Sequence, residues 1–345
     1  MTNGIPPDPI MAVGPNHIMT LVNTQFIIWD KQGNRLFSNY ADPWFNNVVA
    51  SSGAFDPQVV YDHFEGRWIM LWDGGNLATE GYYLISVSDD DDPMGDWYNY
   101  AFPANRNGMT VTNVWADYPK LGYDQHAIYM SGRMWTFYPN PFFQYCQVRW
   151  VSKTDLYNAN GGPVTYTDIW DIRDPANIGQ RVDGPPIAAT HLDSTNTAYL
   201  IVDSPYFTST FATLWKIQNP TGTPVISAVN VPVTATQNPL NGQQLGGGQA
   251  LEVGARVYRN AVLKDGSLWS CTSVRGGTGL TSTFARYVRI DVNTNTATED
   301  VSFGADGFFY LYPAIMVDEF DNMVMAFSRT GYTDFAGFGY TGWKV

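Results

Sequence analysis

The chain has 345 residues, of which 44% are hydrophobic and 15% aromatic, and it contains 32 glycines and 21 prolines. A net charge of −13 and a pI near 4.5 argue against nucleic acid or anionic lipid as a partner, because phosphate binding needs clustered lysine and arginine. No apolar run approaches the ~20 residues of a membrane helix, so membrane insertion is not predicted. The composition favours many short strands joined by tight turns.

One short pattern recurs along the chain: an acidic residue, a strand of β-branched and aromatic residues, a tight turn and a second strand. It is clearest in Phe55–Trp72, where Glu65-Gly66 marks the turn. Further copies begin at Asp8, Asp117 and Asp183, and looser copies cover Arg259–Gly266 and Tyr312–Asp318. Recurrence at spacings of roughly 50 to 75 residues predicts one supersecondary unit repeated around a ring.

Each repeat predicts a set of short strands that follow one another along the chain. The first three repeats predict Ile10–Val13, His17–Asn23, Gln25–Asp30 and Arg35–Tyr40; Gln58–Tyr61, Arg67–Asp73, Tyr82–Ser88 and Trp97–Phe102; and Lys120–Tyr123, Ala127–Gly132, Gln144–Ser152 and Val164–Trp170. The last three predict Pro186–Thr190, Ala198–Asp203, Ala212–Gln218 and Val225–Val233; Ala261–Lys264, Leu268–Val274, Ala285–Val292 and Ala297–Phe303; and Ala314–Val317, Met323–Ser328 and Gly337–Val345.

The predicted fold is all-β: a six-bladed β-propeller of four-stranded antiparallel blades, with an incomplete last blade. We predict a single domain over 1–345, with blades at residues 8–50, 55–105, 115–175, 183–235, 255–305 and 308–345. The last repeat lacks a fourth strand, so its final strand should lie at an open sheet edge. A flanking domain of a larger chain, or a second copy, is expected to cover that edge.

Several segments resemble a family of secreted bacterial propellers that is often called sialidase-like or BNR-repeat-like. The similarity is carried by Pro6-Pro7-Asp8, Val13–His17, Phe55-Asp56-Pro57, Gly66-Arg67-Trp68, Trp115–Pro119, Phe309–Asp318 and Tyr340-Thr341-Gly342. The resemblance implies a propeller fold and an extracellular or cell-surface location. The sequence lacks the Ser-x-Asp-x-Gly-x-x-Trp boxes and the Arg-Ile-Pro start of true sialidases, so it does not imply sialidase activity.

The first residues of this sequence are those expected for a domain taken from a longer secreted protein. Met1–Pro7 has neither the basic start nor the apolar core of a signal peptide. We therefore expect an excised domain that was given a start methionine.

The starts of the innermost strands and the loops after the second strands of a propeller meet on one face, which predicts the candidate site. The catalytic candidates are Asp56, Asp117 and Tyr310, and the candidate ligands for a metal such as Ca²⁺ are Asp8, Asp56, Asp117 and Asp183. The candidate ligand-binding residues are Arg133, Trp135, Tyr138, Tyr206, Arg275, Arg329 and Tyr332. Guanidinium forks bind carboxylates, and aromatic faces stack on sugar rings. The aspartates could equally be strand-start caps.

Three functional hypotheses follow. The first is an extracellular module that binds a glycan or a surface protein on this face. The second is a glycoside hydrolase or polysaccharide lyase acting on an acidic polysaccharide, by a carboxyl pair or a tyrosine base. The third is an assembly unit that associates with itself or a neighbour through the open edge of the last blade.

Two further patterns predict structure rather than chemistry. Cys146 and Cys271 occur in different repeats and are predicted to be buried thiols. The run Asp89–Pro93 is predicted to be a solvated turn, with Ca²⁺ binding as the alternative.

Overall fold

The computed structural model of the chain describes residues 6–344, so predictions for Met1–Ile5 and Val345 lie outside the described residues. The chain divides between Ile172 and Arg173 into two compact units, which we call the N-terminal unit and the C-terminal unit. Regular structure is almost entirely β in both, which confirms the predicted class. Within residues 6–344, no helix has the length and apolar character needed to cross a membrane.

The N-terminal unit is built from antiparallel sheets. Its strands and short helices are β1 (Ile10–Val13), β2 (His17–Val22), β3 (Gln25–Asp30), β4 (Arg35–Tyr40), α1 (Ala41–Trp44), β5 (Phe55–Asp62), β6 (Arg67–Gly74), β7 (Tyr82–Ser88), β8 (Trp97–Pro103), β9 (Arg106–Asn107), β10 (Thr110–Val111), β11 (Val114–Tyr123), β12 (Ala127–Thr136), β13 (Phe143–Ser152), α2 (Lys153–Asn158) and β14 (Thr167–Trp170). The strands pair in the orders β1-β2-β3-β4, β5-β6-β7-β8 and β11-β12-β13-β14, as expected for blades, and β9 and β10 form a hairpin.

The C-terminal unit continues the pattern. Its elements are β15 (Arg173–Asp174), β16 (Asn177–Arg181), β17 (Ile187–Ala188), β18 (Thr190–His191), β19 (Thr197–Asp203), β20 (Thr208–Gln218), β21 (Val225–Gln237), β22 (Ala261–Lys264), β23 (Ser267–Gly276), a 3₁₀ turn (Thr278–Leu280), β24 (Ser282–Asp291), β25 (Thr296–Phe303), β26 (Phe308–Val317), β27 (Met323–Gly331) and β28 (Asp334–Trp343). Antiparallel pairing gives β17-β19-β20-β21, β22-β23-β24-β25 and β26-β27-β28. The two short helices and the hairpins β9-β10 and β15-β16 were not predicted from the sequence, and the predicted strand Pro186–Thr190 is divided between β17 and β18.

A recurring aspartate explains part of the sequence repeat. Asp62, Asp124 and Asp318 stand where the first strand of a sheet ends, and each accepts a hydrogen bond from the backbone N–H two residues later, at 3.1, 2.7 and 2.8 Å. A carboxylate that bonds to its own backbone in this way stabilises a tight turn. These aspartates therefore close hairpins.

A second recurring feature corrects the predicted strand starts. The first strand continues through a proline across a β-bulge, at Asp56-Pro57 in β5, Tyr118-Pro119 in β11 and Tyr312-Pro313 in β26. The residue before each proline has a left-handed backbone, with φ of 52°, 57° and 50°. A bulge residue is left out of the ladder, so proline's missing N–H costs no pairing there. Asp56 thus corresponds to Tyr118 and not to Asp117, and the two aspartates do not occupy equivalent positions.

The cores lie between neighbouring sheets of each unit. In the N-terminal unit, Phe26 of the first sheet packs in one cluster with Trp72 of the second, and Tyr83 of the second packs with Met130 of the third. The side chains alternate across the pleat, so each sheet has apolar residues on both faces. Cys146 and Cys271 are buried thiols, which confirms that prediction.

The predicted turn in the acidic run is confirmed. Asp90 accepts the backbone N–H of Asp92 at 2.8 Å, and Asp92 accepts that of Met94 at 2.9 Å. These carboxylates are used by the turn itself.

The incomplete last blade is also confirmed within the described residues. The strands β26, β27 and β28 form an antiparallel group of three, which one parallel bridge joins to β24, and β28 lies at the sheet edge. Four aromatic side chains along β28 are exposed, namely Phe335, Phe338, Tyr340 and Trp343. Association through this edge stays a prediction.

Candidate functional site

Three of the predicted aspartates come together in the N-terminal unit. Asn23, directly after β2, donates to Asp8 Oδ2 at 2.7 Å and to Asp56 Oδ1 at 3.4 Å. Its side-chain oxygen accepts the backbone N–H of Asp56 at 2.7 Å. Asp117, in β11, is close enough for its charge to affect Asp8. All three aspartates are half-buried.

A fourth carboxyl lies in the same unit and was not predicted. Asp73 is fully buried in β6, opposite Phe55 in the ladder, and neither of its carboxyl oxygens has a hydrogen-bond partner among residues 6–344. Burial first, and then the charges of Asp56 and Asp117, raise the pKa of Asp73 well above its usual value. The folded protein therefore favours the neutral form of this carboxyl over the charged form. We call Asp8, Asp56, Asp73 and Asp117 the carboxyl cluster.

Two cations stand against these carboxyls. Lys120 follows the bulge in β11, is 7% exposed, and places its ammonium 3.5 Å from the centre of the Tyr118 ring. Its positive charge lowers the pKa of Asp8 and of Asp73, in both cases against larger effects that raise it. Arg133 faces Asp117 across the β11–β12 ladder, and its guanidinium lies 4.9 Å from the Trp135 ring. The negative groups outnumber the positive ones.

This excess of negative charge, together with burial, raises the pKa values of two of the carboxyls toward neutral pH. Burial, the charge of Asp56 and a hydrogen bond with Asp56 raise the pKa of Asp8 to about 6. Burial and the charge of Asp56 raise the pKa of Asp117 to about 6, against the opposing effects of Arg133 and the Trp135 indole. Carboxyls with such values can donate and accept protons near neutral pH.

An aromatic rim flanks Asp117. Trp115 lies two residues earlier in β11 and pairs across the ladder with Trp135. Its ring stacks on that of Tyr138, with 6.1 Å between centroids and 24° between planes. Tyr138 is 52% exposed and Phe142, in the same loop, is 67% exposed. The predicted binding residues Trp135 and Tyr138 thus stand beside the carboxyl cluster.

The remaining predicted site residues belong to the C-terminal unit, where each has its own local setting. Tyr206 donates to Asp174 at 3.1 Å, and Arg275 donates to the backbone oxygen of Asn238 at 3.3 Å. The guanidinium of Arg329 is ion-paired. The carboxylate of Asp183 and the ring of Tyr332 are exposed. The predicted capture of a carboxylate by these arginines stays a prediction. In the structure Arg133 faces Asp117, and Arg329 pairs with Asp334 at 3.1 Å.

Tyr310 also needs correction as a catalytic candidate. It is 9% exposed, and its ring packs 5.1 Å from Phe327 and 5.5 Å from Phe303. These contacts make it a core residue, because the bulge that precedes Pro313 turns Tyr312 outward and leaves Tyr310 inside.

No metal-binding arrangement supports the calcium hypothesis in the described part of the chain. Among residues 6–344, no group of three or more His, Cys, Asp or Glu side chains is arranged to hold a metal ion. Asp8, Asp56 and Asp117 have Asn23, Lys120 and Arg133 as neighbours.

Sequence reasoning missed Asn23, Asp73 and Lys120. Asp73 had a recognisable signal, because it is a charged residue that follows the apolar run Trp68–Trp72 in one strand. Asn23 and Lys120 had none, since only folding places them beside the aspartates.

Comparison with known proteins shows the fold. No family model matches the chain, and no curated protein matches its sequence. The hemagglutinin-neuraminidase ectodomain of parainfluenza virus 5 aligns with a TM-score of 0.54 at 10% identity, covering 98% of this chain and 81% of that one. A second structure of that protein, at pH 8.0, gives 0.53 at 11% identity, covering 96% and 87%. The polysaccharide lyase Uly1 gives 0.44 at 10% identity, covering 82% of this chain and 55% of the lyase.

The first two alignments span nearly the whole chain with TM-scores above 0.5. Together with the four-stranded antiparallel sheets, they show that the chain has a sialidase-like β-propeller fold.

Proposed function

We propose that the chain is a glycoside hydrolase that works through the carboxyl cluster. The observation that carries this proposal is the meeting of Asp8, Asp56 and Asp117, two of which have a pKa of about 6, near the buried carboxyl of Asp73. Glycosidic bonds are cleaved by a protonated carboxyl and an ionised one that act together. Different environments that push carboxyl pKa values apart are how proteins assign these roles.

We assign the acid to Asp117 and the nucleophile or base to Asp56. Asp117 lies two residues after Trp115, whose ring stacks on the exposed Tyr138, and we place the substrate along these rings. Asp56 is oriented by Asn23, which contacts both its backbone and its carboxylate. Asp8 shares a hydrogen bond with Asp56, and that bond positions the Asp56 carboxylate.

The charges favour a neutral saccharide over the acidic polysaccharide expected from the sequence. The negative charge of a uronate at this site would be repelled by several carboxyls. The positive charges of Lys120 and Arg133 already compensate part of the charge of those carboxyls, so they are less able to bind a uronate. A lyase needs an accessible base beside a neutralised uronate, and the tyrosine candidate, Tyr310, is in the core. The predicted extracellular location forms part of the proposal, since polymeric saccharides are met there.

The test uses neutral polymers (xylan, arabinan, galactomannan) and a uronate polymer (polygalacturonate). We expect new reducing ends from a neutral polymer, without the ultraviolet absorbance of an unsaturated lyase product. Asp117→Asn and Asp56→Asn should each lower the rate about a thousandfold. Asp30→Asn is the matched control, because Asp30 is a half-buried turn carboxylate at the end of β3 that does not belong to the carboxyl cluster. Rates unchanged in Asp56→Asn and Asp117→Asn would remove the carboxyl cluster as the site.

The pH dependence of the rate is a second test. Asp117 must be protonated to act as the acid, and its pKa is about 6. The rate should therefore decline as pH rises through about 6. Initial rates with one polymer between pH 4 and 9 would show this, and a rate that keeps rising above pH 7 would contradict the assignment of Asp117.

A glycan-binding module remains the second candidate, supported by the exposed rings of Tyr138 and Phe142. The same polymers separate the two functions. Binding that is lost in Tyr138→Ala, with no release of reducing ends, would favour the module.

A further inference from the structure

We infer that the C-terminal unit carries a separate binding site for a neutral saccharide, in a cleft at the start of β28. The cleft has a volume of about 400 Å³ and is lined by Leu245, Arg329, Thr333, Asp334, Phe335 and Phe338, with Gly337 between the last two. That volume falls within the range of small-molecule sites. The inference concerns binding without catalysis and does not depend on the carboxyl cluster.

The walls of the cleft are aromatic and exposed. Phe335 is 69% exposed and Phe338 is 76% exposed, and adjoining exposed apolar side chains mark binding surfaces more often than single ones do. Two open rings next to one cavity offer flat apolar surfaces. The C–H face of a sugar ring is flat and apolar as well, so it can stack on such a ring and displace water.

The polar part of the cleft is a matched ion pair. Arg329 Nη2 lies 3.1 Å from Asp334 Oδ2, and the guanidinium is 4.9 Å from the Phe308 ring. A guanidinium donates hydrogen bonds and a carboxylate accepts them, so the pair can bind neighbouring hydroxyl groups from both sides. Because Asp334 already neutralises Arg329, the cleft favours an uncharged ligand.

The cleft is held in shape by its neighbours. The backbone N–H of Leu245 donates to the backbone oxygen of Asp334 at 3.0 Å, which joins the Leu245 loop to β28. The Thr330 hydroxyl donates to the Gln243 oxygen at 2.8 Å, which ties the same loop to β27. A site whose walls are fixed before binding loses less conformational entropy when a ligand enters.

Gly337 supplies a sharp test. A Cβ built at this position meets no heavy atom within 4 Å, so the space beside it is open. Gly337→Leu should therefore fill the cleft without disturbing β28. Phe338→Ala removes one wall. Trp343→Ala is the matched control, since Trp343 is an exposed aromatic of the same strand that does not line the cleft.

Binding is measured by retardation in native gels that contain xylan, arabinan, galactomannan or polygalacturonate. All variants are made in the Asp117→Asn background, so that cleavage cannot consume the polymer. We expect a neutral polymer to retard the parent protein, with Gly337→Leu and Phe338→Ala each weakening binding about tenfold. Trp343→Ala should bind like the parent.

Three results would overturn the inference. They are retardation unchanged in both cleft variants, retardation by no neutral polymer, or retardation by polygalacturonate alone. A change of oligomeric state in Gly337→Leu, measured by size-exclusion chromatography with light scattering, would assign the cleft to a protein contact instead. The same cleft substitutions made in the chain that keeps Asp117 measure hydrolysis, and an unchanged rate there together with lost retardation in the Asp117→Asn background would separate this site from the carboxyl cluster.

Discussion

Replacing Arg256 with leucine is expected to lower the free energy of unfolding by about 3–5 kcal/mol, because it leaves a buried carboxylate without its partner. Arg256 is 4% exposed, and its Nε lies 2.5 Å from Asp203 Oδ2. Its guanidinium also donates to the backbone oxygens of Thr236 at 3.0 Å and Tyr206 at 2.9 Å. The variant would strand these acceptors together with Asp203.

The pH dependence of this loss identifies its cause. Burial raises the pKa of Asp203, and Arg256 opposes the rise. Without the guanidinium the carboxyl should be protonated over a wider pH range, so the cost of Arg256→Leu should be smaller at pH 4 than at pH 8. Adding Asp203→Asn to Arg256→Leu should restore part of the lost stability, since it removes the unpaired charge.

Arg329→Leu provides the matched control for Arg256→Leu. The Arg329–Asp334 pair is exposed, with side-chain exposures of 47% and 38%, and such pairs contribute at most about 1 kcal/mol. Urea unfolding of both variants compares the two effects directly. Equal losses would show that the Arg256 network does not stabilise the C-terminal unit in the way described.

The second large effect concerns the buried acid. Asp73→Asn is expected to change the free energy of unfolding in a pH-dependent way. The difference between the variant and the wild type should favour the variant more at pH 8 than at pH 4. The folded protein holds the pKa of Asp73 far above its ordinary value. Such a group contributes stability that is fully present below its unfolded pKa and is lost as pH rises toward the folded pKa. Asparagine keeps the neutral shape and does not ionise in the unfolded chain.

Asp8 and Asp117 also make the folded protein less stable as pH rises, over a defined pH range. Both have a pKa of about 6 in the folded protein and an ordinary value of 3.8, so their contribution to stability declines between about pH 4 and pH 6. For Asp117, which is half-buried, the change corresponds to at most about 3 kcal/mol. Asp117→Asn should therefore also flatten the stability profile.

The measurement is urea unfolding at intervals from pH 3 to pH 8, with each variant compared to the wild type. Asp30→Asn is the control of opposite sign, because hydrogen bonds from Asn34 lower the pKa of Asp30. Its loss of stability should appear above pH 4 and not below. If Asp73→Asn follows the wild-type profile throughout, Asp73 is not held as the neutral acid in the folded chain.

The sequence predicted the strands well where local chemistry decides them. The turn of Asp30 to Asn34 and the hairpin at Glu65-Gly66 lie where β-branched strands meet turn formers, and the structure has them there. The starts of β5, β11 and β26 were predicted too late in the chain, directly after Pro57, Pro119 and Pro313. Proline is tolerated within these strands because a bulge removes it from the ladder.

The candidate site was predicted only in outline. Asp8, Asp56 and Asp117 were recognised by their place in the repeats, although the bulges show that Asp56 and Asp117 are not equivalent. The C-terminal arginines and Tyr310 have local partners instead, because neighbouring carboxylates and rings, which the repeat pattern does not specify, lie closer to them.

By itself, the sequence determined the all-β class, the antiparallel sheets, the hairpin turns and the three-stranded last sheet. These depend on contacts between residues close along the chain, where side-chain alternation and turn residues act directly. Only the tertiary structure decided that Asp73 is buried without a hydrogen bond, that Lys120 and Asn23 stand beside the aspartates, and that Phe335 and Phe338 border a cleft. Burial and long-range charge depend on which distant strands pack together, and one strand's own sequence does not encode its neighbours.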